Sequence, residues 1–188
     1  MMENFPVIET ERLVLKNVTD DHVNEVFRHF ASEEVNEFVD FDTAQSIADA
    51  QEIIDWSRRL YKNNAGILWG IFSKADDVFM GQVNFANRAS DNFTRVVHRT
   101  EIGFDLSPQY WGNGYMTEAI KSSISWIFNS YNINIKRIEA IINTKNYSAE
   151  KLVSKVGFTK EGVLRGYVVY DNELWDMSMF SLLKQDWV

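Results

Sequence analysis

The alternation of apolar and polar residues predicts a strand over about 7–16, and a helix over roughly 21–31 with Thr19 or Asp20 as its cap. A second helix is predicted over about 43–62, where Ile47, Ala50, Ile54 and the stretch Trp56–Leu60 lie on or near one apolar stripe. Strands follow near 67–73, 78–88 and 97–106, the third including the alternating run Thr100-Glu101-Ile102-Gly103-Phe104-Asp105-Leu106. Beyond it, Ile120, Ile124, Ile127, Phe128 and Tyr131 share one helical face, so a loop and helix occupy about 109–131. A strand from Arg137 to Ile142 leads to a helix over about 146–155. The tail pairs a strand near 159–169 with one near 173–183 through Tyr170-Asp171-Asn172, whose Asp and Asn tolerate left-handed backbone angles. Strands predominate and are mostly hairpin-connected. That order describes an α+β fold, a mixed and largely antiparallel sheet flanked by helices.

Length and punctuation favour a single domain over 1–188, since only Pro6 and Pro108 occur and no Gly/Ser-rich linker, repeat or low-complexity tract interrupts the chain. Apolar residues make up 45%, with 13 Phe and 6 Trp, which is enough for a sizeable core. No apolar run approaches the ~18 residues of a membrane span. Met1-Met2-Glu3-Asn4 lacks the basic and apolar parts of a secretory signal, so a cytoplasmic protein without membrane partners is expected. The absence of cysteine removes disulfides, thiolate metal ligands and a thiol acyl-enzyme together. His22, His29 and His98 are far apart without metal-ligand spacing, and no metal is expected. His22 and His29 read as solvated or core histidines, while His98 lies near the start of the Glu101 strand. The 27 acidic and 19 basic residues leave a net charge of −8, which disfavours a nucleic-acid surface. It suits a basic acceptor such as a ribosomal-protein tail or a polyamine, with solubility alone as the default explanation.

The segment Gln109-Tyr110-Trp111-Gly112-Asn113-Gly114-Tyr115-Met116-Thr117-Glu118-Ala119 carries the most specific chemistry. Strand, glycine-punctuated turn and helix start together make an anion cradle. Glycines let the main chain approach a ligand, and the first N–H groups of a helix lack internal acceptors. A Walker loop is excluded because no Gly-Lys pair occurs. A dinucleotide loop is excluded because Thr117 stands where the third glycine belongs.

The spacing Q-x-x-G-x-G, as Gln109, Gly112 and Gly114, resembles the pyrophosphate loop of the GNAT superfamily of N-acetyltransferases. Glu9-Thr10-Glu11-Arg12-Leu13-Val14-Leu15 resembles the opening strand of the ribosomal-protein (RimJ/RimL) branch. Glu101-Ile102-Gly103-Phe104, Thr117-Glu118-Ala119, Asn143-Thr144-Lys145-Asn146-Tyr147-Ser148-Ala149 and Lys155-Val156-Gly157-Phe158 resemble its later blocks, in order over nearly the whole chain. The resemblance implies acetyl-CoA as co-substrate, held in a cleft where two central strands splay apart. It implies direct transfer to a primary amine in a ternary complex, foremost the N-terminal amine of a ribosomal protein, and a possible homodimer. A small amine acceptor (polyamine, amino sugar or antibiotic) and a non-catalytic acyl-CoA-binding module are the alternatives.

The resemblance also implies roles for residues. Main-chain groups from Gln109 to Gly114, with Tyr115, Met116 and Thr117, are expected to hold the pyrophosphate. A main-chain N–H around Phe104, Asp105 and Leu106 is expected to polarise the thioester carbonyl. Glu101 is the expected general base, flanked by Ile102 and Phe104. Asn143 and Asn146 are expected on the pantetheine arm, with helix capping as the other role for Asn146, and Lys151 on a CoA phosphate. The branch places Ser three residues after this Asn, where the chain has Ala149. Ser148 lies one residue earlier, turned by about 100° on a helix, and is the expected acid with Tyr147 as the other nearby hydroxyl. The carboxylate that some members carry before the last hairpin is replaced by Tyr167-Val168-Val169. Phe38, Phe41, Trp56, Tyr167 and Tyr170 are candidates for the acceptor pocket, and Asp40 and Asp42 for receiving a cationic acceptor.

Overall fold

The computed structural model describes residues 5–39, 42–89 and 97–187. Its eight strands form one sheet in the order β1-β2-β3-β4-β5-β6-β8-β7. The pairs β1–β2, β2–β3, β3–β4, β6–β8 and β7–β8 are antiparallel and β5–β6 is parallel, as the largely antiparallel expectation requires. The chain divides into two compact units, residues 1–37, 42–86 and 103–123, and residues 38–41, 87–102 and 124–188.

The first unit contains β1 (Ile8–Glu9), β2 (Leu13–Lys16), α1 (Val23–Phe30), α2 (Glu33–Asn36), α3 (Ile47–Lys62) and β3 (Gly66–Ser73). It also takes most of β4 (Phe79–Ala89), the end of β5 (Val97–Leu106) and the start of α4 (Tyr115–Asn129). Ile67, Leu68, Trp69, Ile71 and Phe72 of β3 are all buried, the near-continuous apolar run of a strand covered on both faces. On one face Leu68 and Phe72 join Val26 and Phe30 of α1 and Ala50 and Ile54 of α3 in a single cluster.

Two boundaries differ from the expected ones. The strand expected over 7–16 folds back at Thr10: its N–H donates to Leu13 O and its hydroxyl oxygen accepts from Leu13 N–H, both at 2.9 Å. A threonine side chain competing for main-chain bonds turns one strand into a two-strand hairpin. The helix expected from about 43 starts at Ile47, because Asp49 Oδ2 accepts from the N–H groups of Gln45 and Ser46 and Ser46 Oγ accepts from Asp49 N–H. That reciprocal box fixes the helix start. The four-residue α2 is too short to show a period.

The second unit contains β6 (Arg137–Asn143), α5 (Tyr147–Val156), β7 (Thr159–Tyr170) and β8 (Glu173–Leu183), with the start of β5 and the end of α4. Its core takes Ile124, Ile127 and Phe128 from α4, Ile138 and Ala140 from β6, Val153 and Val156 from α5, and Phe180 and Leu182 from β8. Gly157, at φ +120°, ends α5 with its own N–H and that of Phe158 both on Val153 O. Asp171 and Asn172 take φ of +48° and +60°, the left-handed two-residue turn expected between the last strands. Tyr131, expected on the apolar face of α4, lies beyond the helix end, where its hydroxyl accepts from Asn87 Nδ2 at 3.0 Å.

Candidate active site

In the first unit, residues 104–117 form one continuous segment. Ser107 N–H donates to Met80 O at 2.8 Å where the chain leaves β5. A 3₁₀ turn over Pro108–Tyr110 follows, and α4 begins at Tyr115. Between them Gly112 and Gly114 take φ of +76° and +80°, which glycine adopts at little cost. A methyl group added to Gly112 would meet nothing within 4 Å, so conformation rather than crowding requires the glycine and the main chain there is open to a ligand.

Several carbonyls of this segment are already engaged. Leu106 O accepts from the Trp111 indole at 2.5 Å, Trp111 O from Asn113 Nδ2 at 2.9 Å, Asn113 O from Arg12 Nη1 at 3.0 Å and Gly114 O from Glu118 N–H at 3.1 Å. The N–H groups of Tyr115, Met116 and Thr117 open the helix and have no acceptor within it. A loop with these carbonyls drawn into internal bonds and its helix-opening N–H groups outstanding fits a phosphate.

Two motifs far apart in sequence lock this loop. Glu118 Oε1 accepts from the Thr10 hydroxyl at 2.6 Å and from Arg12 N–H at 2.9 Å, while Oε2 accepts from Arg12 Nε at 2.7 Å. The Arg12 guanidinium also stacks 4.4 Å from the centre of the Tyr115 ring. Burial pushes the Glu118 carboxyl up, but the bonds from Thr10 and Arg12 and the charge of Arg12 outweigh it and hold the group below its ordinary value.

A second network was not foreseen. His29 on α1 is buried, with Nε2 2.5 Å from Asp105 Oδ1 and Nδ1 2.7 Å from Ser107 Oγ, and Gln82 Nε2 donates to Asp105 Oδ2 at 2.9 Å. The signal was present in the sequence: Val26, His29 and Phe30 share the buried face of one helix, and a polar group there requires a partner.

In the second unit Glu101 stands on β5, with Glu139 as its neighbour on β6. Its carboxylate accepts from Arg88 Nη2 at 3.0 Å, so a proton-accepting role requires this ion pair to open. Glu139 is buried between Arg99 and Arg137, and Arg137 also binds Glu161, whose carboxyl falls to about 2 through hydrogen bonds from Arg137 and Ser181. At the β6–α5 junction Asn143 is buried and its Oδ1 accepts from Lys145 N–H at 2.9 Å. Asn146 Oδ1 accepts from Ala149 N–H at 3.0 Å, the capping role anticipated for it. Tyr147, Ser148 and Lys151 are exposed on the first turns of α5, and Ala149 is half-buried. Glu150 is engaged by Ser178 Oγ and Lys160 Nζ.

The acceptor-pocket candidates are scattered. Trp56 is exposed on α3 in the first unit, Tyr167 is exposed on β7, Phe38 is half-buried, and Tyr170 packs on Trp175 with ring centres 5.1 Å apart. Asp42 is exposed, while Asp40 and Phe41 lie outside the described residues. His22 Nδ1 accepts from Thr19 N–H, and the His98 carbonyl accepts from Lys136 N–H. Among the described residues no cluster of metal-binding side chains occurs and no helix is long and apolar enough to cross a membrane.

Residues 12–159 match the acetyltransferase (GNAT) domain. The chain is 32% identical to "Uncharacterized N-acetyltransferase YoaA" of Bacillus subtilis (strain 168), covering 96% of this chain and 98% of the relative. It is 26% identical to the [Ribosomal protein uS5]-alanine N-acetyltransferase of Escherichia coli (strain K12), over 70% of this chain and 68% of the relative. The structure superposes with a TM-score of 0.81 on RimL, a ribosomal L7/L12 alpha-N-protein acetyltransferase solved in complex with coenzyme A, at 15% identity and covering 95% and 98% of the two chains. The glycine loop, its Thr10–Arg12–Glu118 lock and the domain match together show that this chain belongs to the GNAT family and is an acetyl-transferring enzyme.

Proposed function

We propose that the protein acetylates the N-terminal amine of a protein, with ribosomal proteins as the first class to test, by direct transfer from acetyl-CoA. The observation that carries this reading is the open main chain at Gly112, in a loop whose Gly112 and Gly114 take positive φ and which Arg12 and Glu118 fix from behind. Bound acetyl-CoA supplies an activated acetyl thioester. The main-chain N–H groups of Gln109 and of Gly112 to Thr117 hold its pyrophosphate, those of Tyr110 and Trp111 being taken by Ser107 O and Pro108 O, with Asn143, Asn146 and Lys151 serving the pantetheine arm and a phosphate. A main-chain N–H around Phe104, Asp105 and Leu106 stabilises the developing oxyanion. Glu101 takes the proton from the attacking amine, directly or through water, once Arg88 releases it. Ser148 returns a proton to the leaving thiolate from its exposed place on α5. The net negative charge favours a basic acceptor. Kinship with ribosomal-protein enzymes supports a cytoplasmic site of action, and the resemblance to the RimJ/RimL branch supports a homodimer.

The test mixes the protein with acetyl-CoA and peptides of varied N-terminal residue, and follows free thiol, to which a cysteine-free chain adds no background. Thiol release that is lost on blocking the peptide N-termini is the expected result. Turnover confined to polyamines or amino sugars would refute the protein acceptor. Glu101→Gln should lower kcat and flatten its pH profile; an unchanged profile would remove Glu101 from the base role.

A further inference from the structure

We infer that His29 is a positioning residue for the acetyl-CoA site, clamping the end of β5 to α1 from both sides of Leu106; this rests on the reading of the 104–117 segment given above. The His29 side chain is 1% exposed and uses both ring nitrogens. A carboxylate can only accept, so Nε2 carries the hydrogen that goes to Asp105. In the neutral ring Nδ1 then accepts from the Ser107 hydroxyl. The two anchored residues bracket Leu106, the point where the strand ends and the phosphate loop begins.

Three further contacts act on the same turn. Gln82 donates to the second oxygen of Asp105, Ser107 N–H donates to Met80 O, and the Trp111 indole donates to Leu106 O. Gly81 lets the strands close: a methyl group there would sit 2.3 Å from Asp105 O and 2.8 Å from Leu106 Cα. Of these contacts, only the His29 bonds reach the turn from a helix side chain. Without them Asp105 and Ser107 retain Gln82 and Met80 from β4, but the turn loses its tie to α1. A cavity of about 650 Å³, lined in part by His22, Arg28, His29, Ser107 and Gln109, adjoins the clamp, so this side of the turn has room to move.

The test uses the full chain, with hydrogen exchange of peptides spanning 104–114 and titration with acetyl-CoA. His29→Ala should accelerate exchange in that segment and not in β6 to β8, and raise the acetyl-CoA Kd and KM about tenfold, the scale of one lost charge-assisted hydrogen bond. The KM of the amine should stay within twofold, about the limit of a contact made elsewhere. Ser107→Ala, which spares the His29–Asp105 bond, should move the same quantities by about threefold. The double variant should be no worse than His29→Ala, because the two changes remove one bond in common. A folded His29→Ala protein with unchanged exchange in 104–114, or with unchanged acetyl-CoA affinity, overturns the inference, as does acceleration spread evenly over the chain. If His29→Ala does not fold, Ser107→Ala decides on the same two readouts. Failure of the unaltered protein to bind acetyl-CoA would defeat the reading of the loop itself, and so is told apart from failure of the clamp.

Discussion

Replacing Glu118 by alanine removes the acceptor of three donors at once: the Thr10 hydroxyl, the Arg12 N–H and the Arg12 guanidinium. The Glu118 side chain is 18% exposed, so little water is at hand to replace it. The guanidinium is 41% exposed and is left out of the sum, since solvent competes for an exposed pair. The lost Thr10 bond is worth about 1 kcal/mol, and the stranded Arg12 N–H a further 1 kcal/mol or so. The expected destabilisation is about 2 kcal/mol, or a fall in Tm of roughly 4–8 °C for a chain of this size. Urea unfolding followed by tryptophan fluorescence measures it. The same change frees Arg12 from the helix that follows the loop, so the KM for acetyl-CoA should rise while the KM for the amine does not. The pH dependence has a definite sign. The folded Glu118 carboxyl lies below its ordinary value, so its contribution is complete above about pH 4.3 and is lost as pH falls through the folded value. A Glu118→Ala protein within 0.5 kcal/mol of the parent, by the usual scatter of neutral surface changes, would refute the lock. Full destabilisation with an unchanged acetyl-CoA KM would show that the lock serves stability alone.

Gly112→Ala should cost about 1 kcal/mol through backbone strain alone, because the added methyl meets open space, and should weaken acetyl-CoA binding in a calorimetric titration. Asn146→Ala should lower stability by about 1 kcal/mol in a thermal melt through loss of the α5 cap. Glu161→Gln should destabilise at neutral pH and have no effect near pH 2, because a carboxyl held at about 2 contributes above about pH 4.3 and fades between the two values; denaturant midpoints across that range check it.

The elements were legible wherever one periodicity ran unopposed. The strands ending at Leu106 and Leu183, the helix carrying Ile120, Ile124 and Ile127, and the Asp171-Asn172 turn all follow from local pattern. Boundaries failed where a side chain captured a main-chain group. Thr10 broke a strand and Asp49 delayed a helix, and neither act has a period. The glycine loop was legible because its conformation demands glycine at fixed spacing. Its supports were not, since Arg12 and Glu118 stand 106 residues apart and His29 and Ser107 stand 78 apart. Glu101 was read as a carboxylate among apolar neighbours, and its pairing with Arg88 across adjacent strands could not be seen without the register.

The loop between Leu106 and Tyr115 turns two side chains back onto its own carbonyls, the Trp111 indole onto Leu106 O and the Asn113 amide onto Trp111 O, so a ligand held there as proposed is met by peptide groups. Such a surface is nearly silent to alanine scanning. On the proposed reading, Asn113 and Met116 bring the same N–H to the ligand whatever their side chains, while the N–H groups of Tyr110 and Trp111 stay on Ser107 O and Pro108 O. Side chains at those positions can therefore change with the proposed anion site intact, whereas loss of Thr10, Arg12 or Glu118 would undo the bonds that fix the loop. Replacing single amides of the loop by esters would expose what substitution of side chains conceals.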